Sequence, residues 1–255
     1  MSGKKLRLKR LFTQSGRIFA VPMDHGVTVG PVKGLEDIRG TVKAVIEGGA
    51  GAVIIHKGLV RLITELPIPE KCELIVHLSA STALAPGPEV NKKVIISSVE
   101  HAIRLGASAV SIHVNLAGSK EAEMLRDLGL VAEECDKWGL PLLAMMYVRD
   151  GSRESEYDSV KIMHAARIAE ELGADIVKVN YTGSAESFSR ITGAVRIPVV
   201  IAGGPKMDST EDLLAMVADA LNSGASGVAI GRNIFQDKNP QDLARAIRSL
   251  IDNKN

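Results

Sequence analysis

Aromatic side chains are scarce: one Trp, three Tyr and four Phe among 255 residues. A surface that binds nucleic acid by stacking bases has little to work with here. An excess of one charge is missing too. Lys and Arg total 31 against 30 Asp and Glu, a formal net charge of +1, so the basic footprint of a nucleic-acid or anionic-membrane binder is absent. No apolar run reaches the roughly 20 residues of a transmembrane helix, and no signal-peptide pattern opens the chain. The two cysteines, Cys72 and Cys135, stand alone. That excludes a disulfide framework and a zinc ribbon, and fits reduced thiols in a cytoplasmic protein. No linker or low-complexity stretch divides the chain, so residues 1–255 read as one domain.

What is present is a repeat written in glycine and alanine. Four segments share it: Gly49 to His56, Gly106 to His113, Gly173 to Asn180 and Gly224 to Gly231. Each follows an amphipathic run: Ile38 to Glu47, Val94 to Leu105, Val160 to Leu172 and Thr210 to Asn222. The glycine stands where a helix C-terminus needs a left-handed residue. Small residues then let a strand begin close beneath the helix. Further strand candidates are Arg17 to Asp24, Glu73 to Ser79, Leu140 to Tyr147 and Ile197 to Gly204. Eight strands with helix-length segments in most intervals imply a parallel sheet. About 250 residues is the usual size of a (β/α)8 TIM barrel, the fold expected here. A doubly wound open sheet is the alternative, but no Gly-x-Gly-x-x-Gly follows the first strand. The basic N-terminal segment carries Leu8, Leu11 and Phe12 at helical spacing. It reads as a short helix closing the bottom of the barrel rather than a membrane-surface helix.

The repeat also predicts which way side chains point. Aligned on their valines, the segments carry β-branched aliphatics at Val53/Ile55, Val110/Ile112, Val177/Val179 and Val228/Ile230. That uniformly apolar face belongs against the helices. Side chains alternate along a strand, so Ile54/His56, Ser111/His113, Lys178/Asn180 and Ala229/Gly231 point into the barrel. A lysine in the middle of a buried strand needs a reason, because burying an ammonium is unfavourable. A bland reading lets Lys178 snorkel or pair with a carboxylate. The inward position near the C-terminal mouth favours covalent imine chemistry on a carbonyl.

Strand C-termini carry function in such barrels. The first ends Pro22-Met-Asp-His-Gly26, and Asp24 is a candidate acid/base or a partner for Lys178; turn chemistry with Gly26 is its alternative role. The fifth ends with Tyr147, a proton donor or a core tyrosine. The seventh and eighth end in Gly203-Gly204 and Gly231-Arg232, where backbone N–H groups and an arginine suit a phosphate. His56, His77 and His113 end strands two to four. A three-histidine zinc aldolase is the metal-dependent alternative, but no short ligand spacing supports it and no metal is expected.

Pro22-Met-Asp-His-Gly26, His56-Lys-Gly58, Ser111-Ile-His-Val-Asn115, Tyr181-Thr-Gly183, Gly203-Gly-Pro-Lys206 and Gly231-Arg-Asn-Ile-Phe-Gln236 together resemble the archaeal-type class I aldolase superfamily. The likeness runs from about Arg10 to the last helix. It implies an imine lysine at Lys178, a tyrosine proton donor at Tyr147 and an aspartate proton acceptor at Asp24. Sugar-phosphate contacts are implied at Asp24, His25, Gly26, Val27, Thr28, Tyr147, Val148, Arg149, Gly203, Gly204, Gly231 and Arg232. It further implies a phosphorylated ketose donor, an aldehyde acceptor, no cofactor, and a homo-oligomer, a decamer of two five-membered rings. The implied reaction is a transaldol transfer. 6-Deoxy-5-ketofructose 1-phosphate loses hydroxypyruvaldehyde phosphate, and its other three carbons join L-aspartate semialdehyde, on the way to 3-dehydroquinate and the aromatic amino acids. Three positions depart from the pattern: Val148 and Asp150 replace the proline and glycine of Tyr-Pro-Arg-Gly, and Met207 replaces a threonine.

Other readings stay open. A fructose-bisphosphate aldolase of the same fold needs a second phosphate cluster, and the sequence shows one. A dihydroxyacetone-phosphate aldolase with a different acceptor is another. A non-catalytic barrel would fill positions 24, 147 and 178 with aliphatics.

Overall fold

The computed structural model describes residues 2–253 apart from Pro69. Eight parallel strands close into a barrel in sequence order. They are β1 (Ile18–Pro22), β2 (Ala52–His56), β3 (Glu73–His77), β4 (Ala109–Leu116), β5 (Leu142–Val148), β6 (Ile176–Asn180), β7 (Val199–Ala202) and β8 (Gly227–Ala229). The open-sheet alternative is thereby excluded. Helices Ile38–Glu47, Glu121–Trp138, Ser159–Glu171, Ala185–Ala194, Thr210–Asn222 and Pro240–Asp252 wrap the outside. Several start on a side-chain cap that satisfies a free backbone N–H: Asp37 to Gly40, Asp158 to Lys161 and Ser209 to Asp212.

One expected helix is shorter than its sequence pattern. Within Val94 to Leu105 only Val99–Arg104 is helical. Val94–Ile95 instead pairs antiparallel with Ser79–Ala80, forming a small ribbon over the mouth. Ser98 accepts from His101 N at 3.1 Å and starts the helix after the ribbon. Among the described residues, the β2–β3 connection carries a single 3-10 segment, Lys57–Leu62.

The four repeat glycines, Gly49, Gly106, Gly173 and Gly224, all have φ between 85° and 93°. The two faces of the strands separate as the alternation requires. Val53, Ile55, Val110, Ile112, Val177, Val179, Val228 and Ile230 join the layer between strands and helices. Ala20, Ile54, Ile75, Leu143, Val200 and Ala229 fill the barrel interior.

The ladder register shows how inward residues stack. Ile54 pairs through Ile75 with Ala109, two residues short of Ser111. Ser111 pairs through Leu143 with Ile176, two short of Lys178. The same two-residue step recurs from Lys178 to Ala229 and from Ala229 back to Ile54. Four such steps make the shear of eight that a tilted eight-stranded barrel requires. Ile54, Ser111, Lys178 and Ala229 therefore form one interior layer, and His56, His113, Asn180 and Gly231 form a layer above it.

The N-terminal helix Ser2–Arg10 closes the bottom. Leu11 is 1% exposed inside the interior cluster, with Leu8 and Phe12 packed against it. Arg10 anchors the plug by a two-pronged pair with Glu73, at 2.9 and 3.0 Å. Lys4 reaches Asp136 and Asp175.

Candidate active site

The barrel mouth opens into a cleft of about 610 Å³. Lys178 rises from β6 into its floor, with only 6% of its surface exposed. Beneath it lie Leu143 and Val200, and its Nζ sits 3.9 Å from Met145 Sδ. The amine thus stands on an aliphatic bed with its one opening toward the cleft. Asp24, from the end of β1, and Tyr147, from β5, line the same cleft. The Tyr147 ring is packed 4.8 Å from His113 and 5.4 Å from the Arg149 guanidinium.

Asp24 is held from several sides. His77 Nε2 approaches Oδ2 at 3.4 Å, His25 Nδ1 approaches Oδ1 at 3.4 Å, and His56 Nε2 lies 3.1 Å from the Asp24 carbonyl oxygen. Ser111 Oγ lies 2.8 Å from His77 Nδ1. A serine hydroxyl that donates there leaves the imidazole proton on Nε2, facing Asp24. Burial pushes the Asp24 carboxyl up. His77, His25, the Lys178 ammonium and His56 pull it down more strongly, so it stays well below the usual carboxylate range.

The imidazoles move the opposite way. Burial pushes His77 down to about 4, against the pull of Asp24. Burial likewise lowers His25, His56 and His113. All four are neutral at pH 7, which suits donors and acceptors that position a carboxylate. Among the described residues no group of three His, Cys, Asp or Glu is arranged to hold a metal ion. His77 and His113 spend ring nitrogens on Ser111 and Asn115 instead.

The β7–β8 side forms a cradle of backbone. Gly203, Gly204, Gly231 and Arg232 line the cleft there. A Cβ on Gly231 would lie 2.4 Å from the Pro22 carbonyl oxygen, and one on Gly203 would lie 2.7 Å from Ile230 Cγ2. No larger residue fits either position. Gly204 has φ 67°, the left-handed region. Asn233, fully buried, locks the cradle: its Nδ2 donates to the Gly203 and Pro205 carbonyls at 2.8 and 3.0 Å, and its Oδ1 accepts from Met207 N at 2.7 Å. Because Met207 contributes its backbone to this lock, the side-chain change from threonine leaves the loop anchored.

Other expected contacts are placed differently. His25, Thr28 and Arg149 line the cleft, but Gly26 and Val27 line a separate apolar groove with Met23, Pro31, Leu35 and Leu59. The short turn of helix at Gly26–Val29 rotates alternate residues away from the mouth. Val148 is 4% exposed and lies outside the cleft lining, because it alternates with Tyr147 and Arg149 along β5.

The fold also gathers residues that no sequence signal marked. Lys93 on the ribbon and Arg153, Glu156 and Tyr157 on the β5 loop all line the cleft, beside Asn180, whose inward direction was expected. Lys93, Arg149 and Arg153 form a second group of cations, on the β3–β5 side and across the barrel from the glycine cradle. Alternation marked Asn180 and Ser111 as inward but not the Ser111–His77 contact; the loop residues carry no periodicity to read.

The DeoC/LacD family aldolase profile matches residues 18–237. The chain belongs to this family. Similarity extends along nearly the full length of individual DeoC/LacD-type relatives. The 2-amino-3,7-dideoxy-D-threo-hept-6-ulosonate synthase 1 of Archaeoglobus fulgidus is 46% identical, over 98% of this chain and 92% of that protein. The 2-amino-4,5-dihydroxy-6-oxo-7-(phosphonooxy)heptanoate synthase of Streptomyces griseus is 42% identical, over 98% and 90%. An archaeal fructose-1,6-bisphosphate aldolase, solved with its catalytic Lys bound to a carbinolamine intermediate, superposes with a TM-score of 0.89 at 30% identity, covering 98% of this chain and 100% of that one. This DeoC/LacD aldolase is an enzyme of the Schiff-base type, and among the described residues no helix is long and apolar enough to cross a membrane.

Proposed function

We propose that Lys178 forms an imine with a phosphorylated ketose and passes a three-carbon fragment to an amino-acid aldehyde. The observation that carries this reading is the buried amine on an aliphatic bed, opening into one cleft with Asp24 and Tyr147. The Lys178 amine adds to the donor carbonyl, and Tyr147 protonates the departing hydroxyl, so that water leaves and a protonated imine remains. That imine accepts the electron pair of the breaking carbon–carbon bond, while Asp24 takes the proton of the adjacent hydroxyl. An aldehyde departs and an enamine stays on Lys178. The enamine carbon then attacks the acceptor aldehyde, the new alkoxide regains a proton, and water releases the product. The Gly203–Gly204 and Gly231–Arg232 cradle holds the donor phosphate, with His25 and Thr28 beside it.

The product names of the two synthases above both describe a seven-carbon 2-amino acid with a ketone at C6. Dividing either skeleton between C4 and C5 yields a four-carbon amino-acid aldehyde and a three-carbon ketone. For this chain we assign L-aspartate semialdehyde as acceptor and 6-deoxy-5-ketofructose 1-phosphate as donor. The product is then 2-amino-3,7-dideoxy-D-threo-hept-6-ulosonate, a precursor of 3-dehydroquinate. Dihydroxyacetone phosphate as donor is the second reading, favoured by a phosphate cradle next to the imine lysine; its product keeps the phosphate at C7. We further assign a cytoplasmic homo-oligomer, a decamer of two five-membered rings, in which residues 1–255 act as one domain. The buried free thiols of Cys72 and Cys135 accord with the cytoplasm, and light scattering tests the ring size.

Borohydride trapping tests the chemistry. With either ketose phosphate, mass spectrometry should find the reduced adduct on the Lys178 peptide, and Lys178→Ala should abolish it. An adduct on another peptide overturns the assignment. Product mass then separates the two donors, since one product carries a phosphate and the other does not.

A further inference from the structure

A side chamber of about 350 Å³ adjoins the cleft on the β3–β5 side. Lys93, Arg149, Glu156, Asn91, Asn115 and Thr28 line it. We propose that this chamber binds the charged head of the acceptor, with Lys93 holding its α-carboxylate and Glu156 its α-ammonium. The proposal rests on the imine reading above and names the acceptor subsite of the same reaction.

Three observations carry it. First, Lys93 has no ion pair among the described residues; its Nζ donates to Ser81 Oγ at 2.6 Å, which leaves two N–H groups for a ligand. Burial lowers this ammonium from its ordinary value, while Asp24 draws it back up, so it is a desolvated cation facing an open chamber. Second, the chamber holds both signs of charge. Glu156 pairs with Arg149, and its backbone carbonyl accepts from Asn180 Nδ2 at 3.0 Å, which fixes the loop that carries it. A phosphate uses only the cations of this chamber; a zwitterionic head finds a partner for each end. Third, the walls are rigid and polar. Asn115 Nδ2 donates to the Asn91 carbonyl at 2.7 Å, and Asn115 Oδ1 lies 2.8 Å from His113 Nε2. The chamber shares Lys93, His113, Arg149 and Glu156 with the cleft that contains Lys178. An acceptor seated by its head thus presents its aldehyde to the enamine.

The test uses Lys93→Met and Glu156→Gln in the full-length protein, with three acceptors. L-aspartate semialdehyde carries both charges, succinic semialdehyde only the carboxylate, and propionaldehyde neither. A charged hydrogen bond is worth about tenfold or more in binding. Lys93→Met should raise KM about tenfold or more for the first two acceptors and leave propionaldehyde unchanged. Glu156→Gln should raise KM for L-aspartate semialdehyde alone. Borohydride trapping of the donor on Lys178 precedes the acceptor and is followed in each variant, with circular dichroism to verify folding. If trapping persists and the KM for L-aspartate semialdehyde is unchanged in both variants, the subsite is elsewhere. If Lys93→Met abolishes trapping in a folded protein, Lys93 serves the donor and the proposal is wrong. Loss of trapping in the unsubstituted enzyme refutes the imine reading instead.

Discussion

Replacing His77 by Gln should flatten the acid sensitivity of the fold. His77 is 3% exposed and its folded value is pushed down to about 4, against an ordinary value of 6.5. In the unfolded chain it takes up a proton as pH falls through 6.5, while the folded chain does not until about pH 4. The unfolded state therefore binds more protons in that window, and stability falls as pH falls. Between pH 7 and pH 5 this one histidine removes about 2 kcal/mol. His25, His56 and His113 act in the same direction. Asp24 acts in a lower window, beneath its ordinary 3.8. Glutamine keeps an N–H donor near Asp24 and does not titrate. Its effect should therefore appear in the slope against pH more than in stability at pH 7. Urea unfolding of both proteins at pH 7, 6 and 5, followed by circular dichroism, measures it. The variant should lose about 2 kcal/mol less than the parent. Parallel pH curves for the two proteins would refute the argument that burial keeps this imidazole neutral.

Four catalytic and structural changes have separable outcomes. Tyr147→Phe keeps the ring against His113 and should lower kcat by about 10²–10⁴-fold with little change in KM, as general acid assistance predicts; full turnover would make the tyrosine a packing residue. Asp24→Asn should lower kcat over a similar range and leave the donor KM close to the parent value, which steady-state kinetics can check. Arg232→Ala should mainly raise the donor KM, because phosphate contacts are made in ground and transition states alike; a fall in kcat at unchanged KM would remove it from the phosphate cradle. Leu11→Ala at the barrel floor should destabilise by about 2–5 kcal/mol in denaturation while Lys178 still traps the donor.

Much of this protein is local and periodic, and that part was open to sequence reasoning. Chain alternation has a period of two and the repeat supplies a common origin, so the inward direction of Lys178 followed from the aligned valines of four segments. The glycines at 49, 106, 173 and 224 needed no tertiary information either, since a helix C-terminus makes the same demand wherever it lies. Tyr147, Asp24 and the two glycine pairs sit at strand ends, and the parallel barrel sends all those ends to one mouth.

Tertiary structure alone decided what loops bring to that mouth. Lys93 and Glu156 are 63 positions apart in the sequence and share a chamber only because the ribbon after β3 and the loop after β5 fold over the same rim. The ribbon itself overrode a helical pattern at Val94–Ile95, where pairing with Ser79–Ala80 was available. Gly26 and Val27 turned from the cleft because a single helical turn, unlike an extended strand end, spreads neighbouring residues around its axis. The grip of His77 on Asp24, with Ser111 behind the imidazole, also depended on the barrel, whose curvature turns the ends of β1 and β3 toward each other across β2. Periodicity specifies the direction of a side chain relative to its own backbone. Which distant side chain it then meets is set by the stagger of the closed sheet and the path of its loops.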